Sequence, residues 1–299
     1  MCQRFWRADA RGRQAGQRRI RGNVARDNLG WVWGGFLGLE SGNMSGMAST
    51  GYKTKLPAPF LRRITLRPEV IAGKDSYPFN LPWLRDPTFE LEFTTPVTII
   101  VGENGTGKST LIEALAAVAG YDEAGGGKGY RPVDHSGAID VSGALLADAI
   151  RAGWLPKVTN GWFFKAESFF SVARYLDNVG SPAADFLSAS HGEGFIRLFA
   201  ERMSQQGIFF MDEPESALSP KRQLDLLRLL HRIAGEARAQ VIMATHSPIL
   251  MALPGARLLQ ITRGGIAEAD YRQTSHFKLY QEFVTDPAGF LREALAGEL

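Results

Sequence analysis

The sequence predicts an α/β fold with a mixed sheet, a parallel core joined by antiparallel N-terminal strands, and three observations carry that expectation. A β-branched run, Thr98 to Val101, leads straight into a glycine-rich octet, Gly102 to Ser109, and then into a helical stretch from Thr110 to Val118. A second apolar run, Ile208 to Met211, ends in Asp212 and Glu213, and a third, Val241 to Ala244, ends in Thr245 and His246. Buried parallel strands read as continuous apolar runs, and their chemistry gathers at the C-terminal ends.

The chain has 299 residues, 44% of them hydrophobic, enough to bury a core in one large α/β domain or two small ones. Its net charge of +3 conceals a division: residues 1–50 carry eight arginines against Asp9, Asp27 and Glu40, or +5, which leaves −2 for residues 51–299. The body is therefore not a basic nucleic-acid platform by bulk charge, although a local patch stays open. Residues 1–50 are set apart from a domain over 51–299. They read as a disordered basic, glycine-rich extension, as sequence upstream of a start at Met44 or Met47, or as a basic arm touching nucleic acid or anionic lipid. The lone Cys2 excludes an intramolecular disulfide framework and fits a reducing, cytoplasmic compartment. Trp31 to Leu39 is too short for a membrane helix, which needs about twenty apolar residues, and no small-residue cleavage site clearly follows the basic lead. Neither membrane insertion nor a signal peptide is expected.

From Gly51 onward strand and helix signals alternate. Arg62 to Leu66 and Thr88 to Phe93, the second with Phe89, Leu91 and Phe93 on alternate positions, read as half-buried antiparallel strands. G-E-N-G-T-G-K-S over Gly102 to Ser109 then matches the P-loop pattern in its required context, strand before and helix after. In such a loop the backbone from Gly102 through Glu103, Asn104, Gly105, Thr106 and Gly107, with the helix tip at Lys108, Ser109 and Thr110, wraps a phosphate chain. Lys108 reaches the β- and γ-phosphates and the Ser109 hydroxyl ligates Mg²⁺, so a bound nucleoside triphosphate is expected. Gly120 to Gly137 reads as a mobile glycine-rich loop, Ala138 to Ala152 as a helix, and Gly161 to Phe164 as a short aromatic strand. At the end of Ile208 to Met211, Asp212 is expected in the Mg²⁺ shell, Glu213 beside the attacking water, and Pro214 ends the strand.

Between these motifs lies Leu187-Ser188-Ala189-Ser190-His191-Gly192-Glu193-Gly194. Here the chain resembles the ATP-binding-cassette (ABC) ATPases, whose signature in the chromosome-maintenance and RecF-like branch reads S-x-G-E, matched by Ser190, Gly192 and Glu193. The same residues form a capping box for a helix through Phe199 to Met203, and both readings can hold together. Ser216 to Pro220 occupies the family's D-loop position, with Ser219 in place of its aspartate, and His246 falls at the switch histidine. Phe163 to Phe169 holds no Q-loop glutamine; Glu167 either substitutes as a metal or water contact or is a surface acid. Tyr77 and Phe79 either stack on adenine or pack in the core.

The likeness covers roughly residues 60–265 and is greatest to stand-alone bacterial AAA-type ATPases. It implies a P-loop NTPase head with a helical signature subdomain, ATP and Mg²⁺ as cofactors, and an ATP-dependent homodimer sandwiching two nucleotides. By that likeness Lys108, Ser109 and Asp212 bind Mg·ATP, Glu213 and His246 serve hydrolysis, and Ser190 with Gly192 completes the site in trans. Only 82 positions separate Lys108 from Ser190, too few for long coiled-coil arms, and the 53 residues after His246 hold no D-x-D nuclease pair. Phe277 to Phe283 and Pro287 to Leu295 read as short amphipathic helices covering a core or a dimer face. The expected function is an ATPase switch serving DNA repair, stress or defence with an unidentified protein partner. The alternatives are a transporter ATPase subunit and a non-hydrolytic nucleotide-binding module.

Overall fold

A computed structural model describes residues 54–86, 88–128, 142–165 and 191–297, all within the unit Ser49–Leu299. The expected extension over residues 1–50, Glu167 and Ser190 lie outside the described residues. In chain order the strands are β1 (Leu61–Leu66), β2 (Glu90–Glu92), β3 (Val97–Gly102), β4 (Ile150–Trp154), β5 (Gly161–Lys165), β6 (Gly207–Asp212), β7 (Ala239–Ala244), β8 (Arg257–Thr262) and β9 (Gly265–Glu268). The helices are α1 (Pro68–Ile71), α2 (Lys108–Ala119), α3 (Ser142–Asp148), α4 (His191–Arg202), α5 (Pro220–Glu236), α6 (Pro248–Met251), α7 (Ser275–Thr285) and α8 (Pro287–Ala296).

Every residue of β3, β6 and β7 is buried, as strands covered on both faces require. Alternation sorts their side chains into two cores. Val97, Ile99, Val101, Phe209, Met211, Val241 and Met243 pack with α4, α5 and α6, while Ile100, Phe210, Ile242 and Ala244 pack with α2, α3 and the N-terminal strands. The main sheet runs β5-β6-β7-β3-β8-β9; the first five strands are parallel and β9 pairs antiparallel to β8. The histidine strand β7 therefore lies between the P-loop strand β3 and the acid strand β6, and all three end at one edge.

The expected antiparallel N-terminal strands are present as a sheet of their own, β2-β1-β4. Gln240, fully buried on β7, ties it to the main sheet: its Oε1 accepts the N–H groups of Phe60 and Leu61, each at 2.8 Å, and its Nε2 donates to the Leu61 carbonyl at 3.0 Å. The helix expected over Ala138 to Ala152 is corrected: α3 ends at Asp148 and Ile150–Trp154 is strand, with Leu66 opposite Ile150 and Ile64 opposite Ala152. Alanine and leucine there favour a helix locally, but pairing with distant β1 outweighs that preference, which is worth only tenths of a kcal/mol per residue. The two C-terminal helices form as expected, capped by the side chains of Thr274 and Asp286. Leu279, Tyr280, Val284 and Leu291 are exposed on them, so these faces are not core in a single chain.

Candidate functional site

The P-loop closes on itself. Thr106 Oγ1 donates to the Glu103 carbonyl at 2.8 Å, and Lys108 Nζ donates to the same carbonyl at 3.1 Å. Trp83 Nε1 braces the loop from outside by donating to the Thr106 carbonyl at 3.2 Å. Gly107, with φ 91°, turns the chain into α2, and a Cβ there would stand 2.8 Å from both Leu81 methyl carbons. Glu103, Asn104 and Gly105 are exposed, Gly102, Lys108 and Thr110 are buried, and Thr106 and Ser109 lie between. The loop thus presents backbone outward while anchoring its ends. Thr110 bonds through its hydroxyl to that of Tyr77, which is exposed beside α2, whereas Phe79 packs in the core under Lys74.

Across from α2, β6 delivers Asp212 and Glu213. Asp212 is buried, accepts a hydrogen bond from the Ser109 hydroxyl, and keeps its Oδ1 without a hydrogen-bond partner. Burial, then Glu113 and Glu213, push its carboxyl up to about 7. Glu113 reaches this site from α2, one turn beyond Ser109, and pairs with Lys165 at 2.6 Å; Lys165 lies in register with Asp212 on β5. An orphaned carboxylate oxygen beside a serine hydroxyl fits a small hard cation that keeps several waters and takes its remaining ligands from phosphates. Among the described residues no group of three or more His, Cys, Asp and Glu side chains forms a cage. Burial lowers the pKa of Lys108, and Glu213 and Asp212 counter that.

Glu213 adopts φ 46° and ψ 52°, a left-handed conformation that costs a non-glycine residue about 1–2 kcal/mol, while its N–H is held by the Ala244 carbonyl at 3.0 Å. Such strain concentrates at functional sites. The bend leaves its carboxylate half exposed and 3.6 Å from His246 Nε2. Glu215, half-buried, accepts the His246 backbone N–H at 2.5 Å, and desolvation of its carboxyl raises its pKa. His246 Nδ1 stands 3.0 Å from His276 Nε2 on α7, and Ser275 Oγ donates to the Glu103 carboxylate at 3.1 Å. Burial, then Lys108, lowers the pKa of His246, while the Glu213 carboxylate counters them.

The structure therefore brings Lys108, Ser109, Asp212, Glu213 and His246 together at one sheet edge. Gly192 and Glu193 lie in the first turn of α4, where the Glu193 carboxylate pairs with Arg222 of α5. Ser219, at the expected aspartate position, is the N-cap of α5 and accepts from the Arg222 N–H. Sequence reasoning missed Glu113, Lys165, Glu215, Ser275 and His276. Glu113 had a signal, an acid one helical turn after Ser109 inside an apolar stretch, and Lys165 had one too, a single charge ending Gly161-Trp162-Phe163-Phe164. Nothing in the sequence marks His276.

Residues 79–146 match a family model described as "AAA domain", and residues 184–252 match one described as "AAA domain, putative AbiEii toxin, Type IV TA system". A zinc import ATP-binding protein of Cereibacter sphaeroides is 26% identical over 193 residues, covering 62% of this chain and 75% of that protein. An aliphatic sulfonates import ATP-binding protein of Paracoccus denitrificans is 28% identical over 199 residues, covering 64% and 78%. Among solved structures, the SMC head domain from Thermotoga maritima superposes with a TM-score of 0.39 at 17% identity, covering 71% of this chain and 98% of that one. With the P-loop, acid and histidine strands interleaved as β3, β6 and β7, and AAA-domain models matching the P-loop region and the stretch from the signature to the histidine strand, the chain has the α/β architecture of a P-loop NTPase and resembles the ABC-type ATPases.

Proposed function

We propose that the protein binds Mg·ATP, hydrolyses it, and acts as a nucleotide-gated homodimer in the cytoplasm. The observation that carries this is the meeting of an orphaned Asp212 oxygen and the Ser109 hydroxyl with a strained Glu213 that faces His246 at 3.6 Å. Lys108 exchanges the Glu103 carbonyl for the β- and γ-phosphates, and the loop N–H groups hold the chain of phosphates. Ser109 and Asp212 would hold Mg²⁺, which neutralises the charge developing on the phosphate oxygens. Glu213 orients water and accepts its proton as the oxygen attacks the γ-phosphorus and ADP departs. His246 donates to the γ-phosphate through Nε2. Ser190 and Gly192 of a second copy complete the site in trans, and Glu167 substitutes for the Q-loop glutamine as a metal or water contact. The domain limits 1–50 and 51–299 belong to the same reading.

The toxin–antitoxin description of the model over residues 184–252 favours a defence or DNA-repair role for the switch. A transporter subunit is the second reading, favoured by the import proteins at 26% and 28% identity. One variant separates them. Glu213→Gln is expected to retain ATP binding, lose at least about 10²-fold in turnover, and accumulate an ATP-dependent dimer on size-exclusion chromatography. Pull-down of that dimer with DNA supports the first role, and co-purification with a hydrophobic membrane protein the second. Unchanged turnover removes Glu213 from the mechanism.

A further inference from the structure

We infer that His276 is a positioning residue for His246: its imidazole N–H donates to His246 Nδ1 and so aims the opposite nitrogen, Nε2, into the phosphate site. The inference rests on the proposed role of His246 at the γ-phosphate. Two imidazoles 3.0 Å apart through Nδ1 and Nε2, with ring centroids 5.2 Å apart, can share only one hydrogen, so one ring donates and the other accepts. The direction follows from what lies on the far side of His246. Glu213, 3.6 Å from Nε2, favours a proton on that nitrogen, which leaves Nδ1 as a lone pair and makes His276 the donor. A histidine that must donate to a phosphate oxygen needs this tautomer, and the group bonded to its other nitrogen sets it.

The platform carrying His276 is fixed independently of His246. Thr274 is fully buried, donates to the Tyr271 carbonyl at 2.7 Å, and caps α7 by accepting from the Phe277 N–H at 3.2 Å. Tyr271 and Phe277 pack edge to face at 4.9 Å. Ser275 then ties the same helix end to the P-loop through Glu103. His276 thus arrives from a helix start that also holds the P-loop, and the first turn of α7 becomes part of the hydrolytic site.

The test pairs spectroscopy with kinetics. In ¹⁵N-histidine-labelled protein, a ¹⁵N–¹⁵N coupling across the hydrogen bond between His276 Nε2 and His246 Nδ1 is expected without nucleotide; its absence overturns the inference whether or not the protein hydrolyses ATP. His276→Phe is expected to lower kcat about three- to tenfold, the scale of one hydrogen bond, with KM and nucleotide affinity unchanged. His276→Gln, which keeps a donor, is expected to restore kcat to within about twofold. Should the phenyl ring disturb folding, His276→Leu replaces it. Turnover by wild type that is indifferent to these variants refutes the inference alone, whereas no turnover by wild type refutes the ATPase reading and leaves the coupling to decide the contact.

Discussion

Asp212→Asn should move stability and ligand response in opposite directions. In the metal-free protein the gap between the ordinary carboxyl value of 3.8 and about 7 corresponds to about 4 kcal/mol of cost for the buried charge, at 1.36 kcal/mol per tenfold. An amide in the same place keeps some unpaired polarity, which returns about 2 kcal/mol. Asp212→Asn is therefore expected to stabilise the metal-free protein by about 2 kcal/mol at pH 8, read by urea unfolding, or by about 4–8 °C in Tm. Because the folded carboxyl holds its proton more tightly than the unfolded one, this group's contribution to stability falls as pH rises from 3.8 towards about 7 and is constant above. The gain should vanish at about pH 5 and reverse to a loss of about 2 kcal/mol below pH 4, where the wild-type carboxyl is protonated. Wild type at a hundredfold excess of Mg·ATP over Kd should gain about 2.7 kcal/mol, and the variant should gain far less. A variant that is destabilised at pH 8 without metal, or that answers Mg·ATP as wild type does, refutes the assignment of Asp212 as a desolvated cation ligand.

Gly107→Ala would force a Cβ to within 2.8 Å of the Leu81 methyls at φ 91°, costing about 2–4 kcal/mol for overpacking and left-handed strain together; fluorescent-nucleotide titration should show at least a tenfold weaker Kd, and an unchanged Kd would show that the loop tolerates the shift. Gln240→Leu leaves two N–H groups and one carbonyl of residues 60–61 unpaired inside the fold, for about 3 kcal/mol or more of lost stability in chemical unfolding, with a change under 1 kcal/mol counting against its role as a tie between sheets.

The local order of residues was enough to write down the P-loop, the acid strand and the histidine strand, because each motif is contiguous and its chemistry needs fixed spacing along one strand, turn or helix tip. Gly102 to Ser109, Asp212, Glu213 and His246 were all legible on that ground. Even the interleaving of β7 between β3 and β6 was not, since strand order depends on which buried faces pair across long separations. Tertiary structure alone decided that Ile150–Trp154 would be strand, because its partner β1 is remote in sequence. It alone brought Glu113 and Lys165 to Asp212, Glu215 to the backbone of His246, and the start of α7 to both Glu103 and His246. A lone histidine on a C-terminal helix carries no periodicity or motif. Its meaning comes only from the 3.0 Å that separates it from another ring.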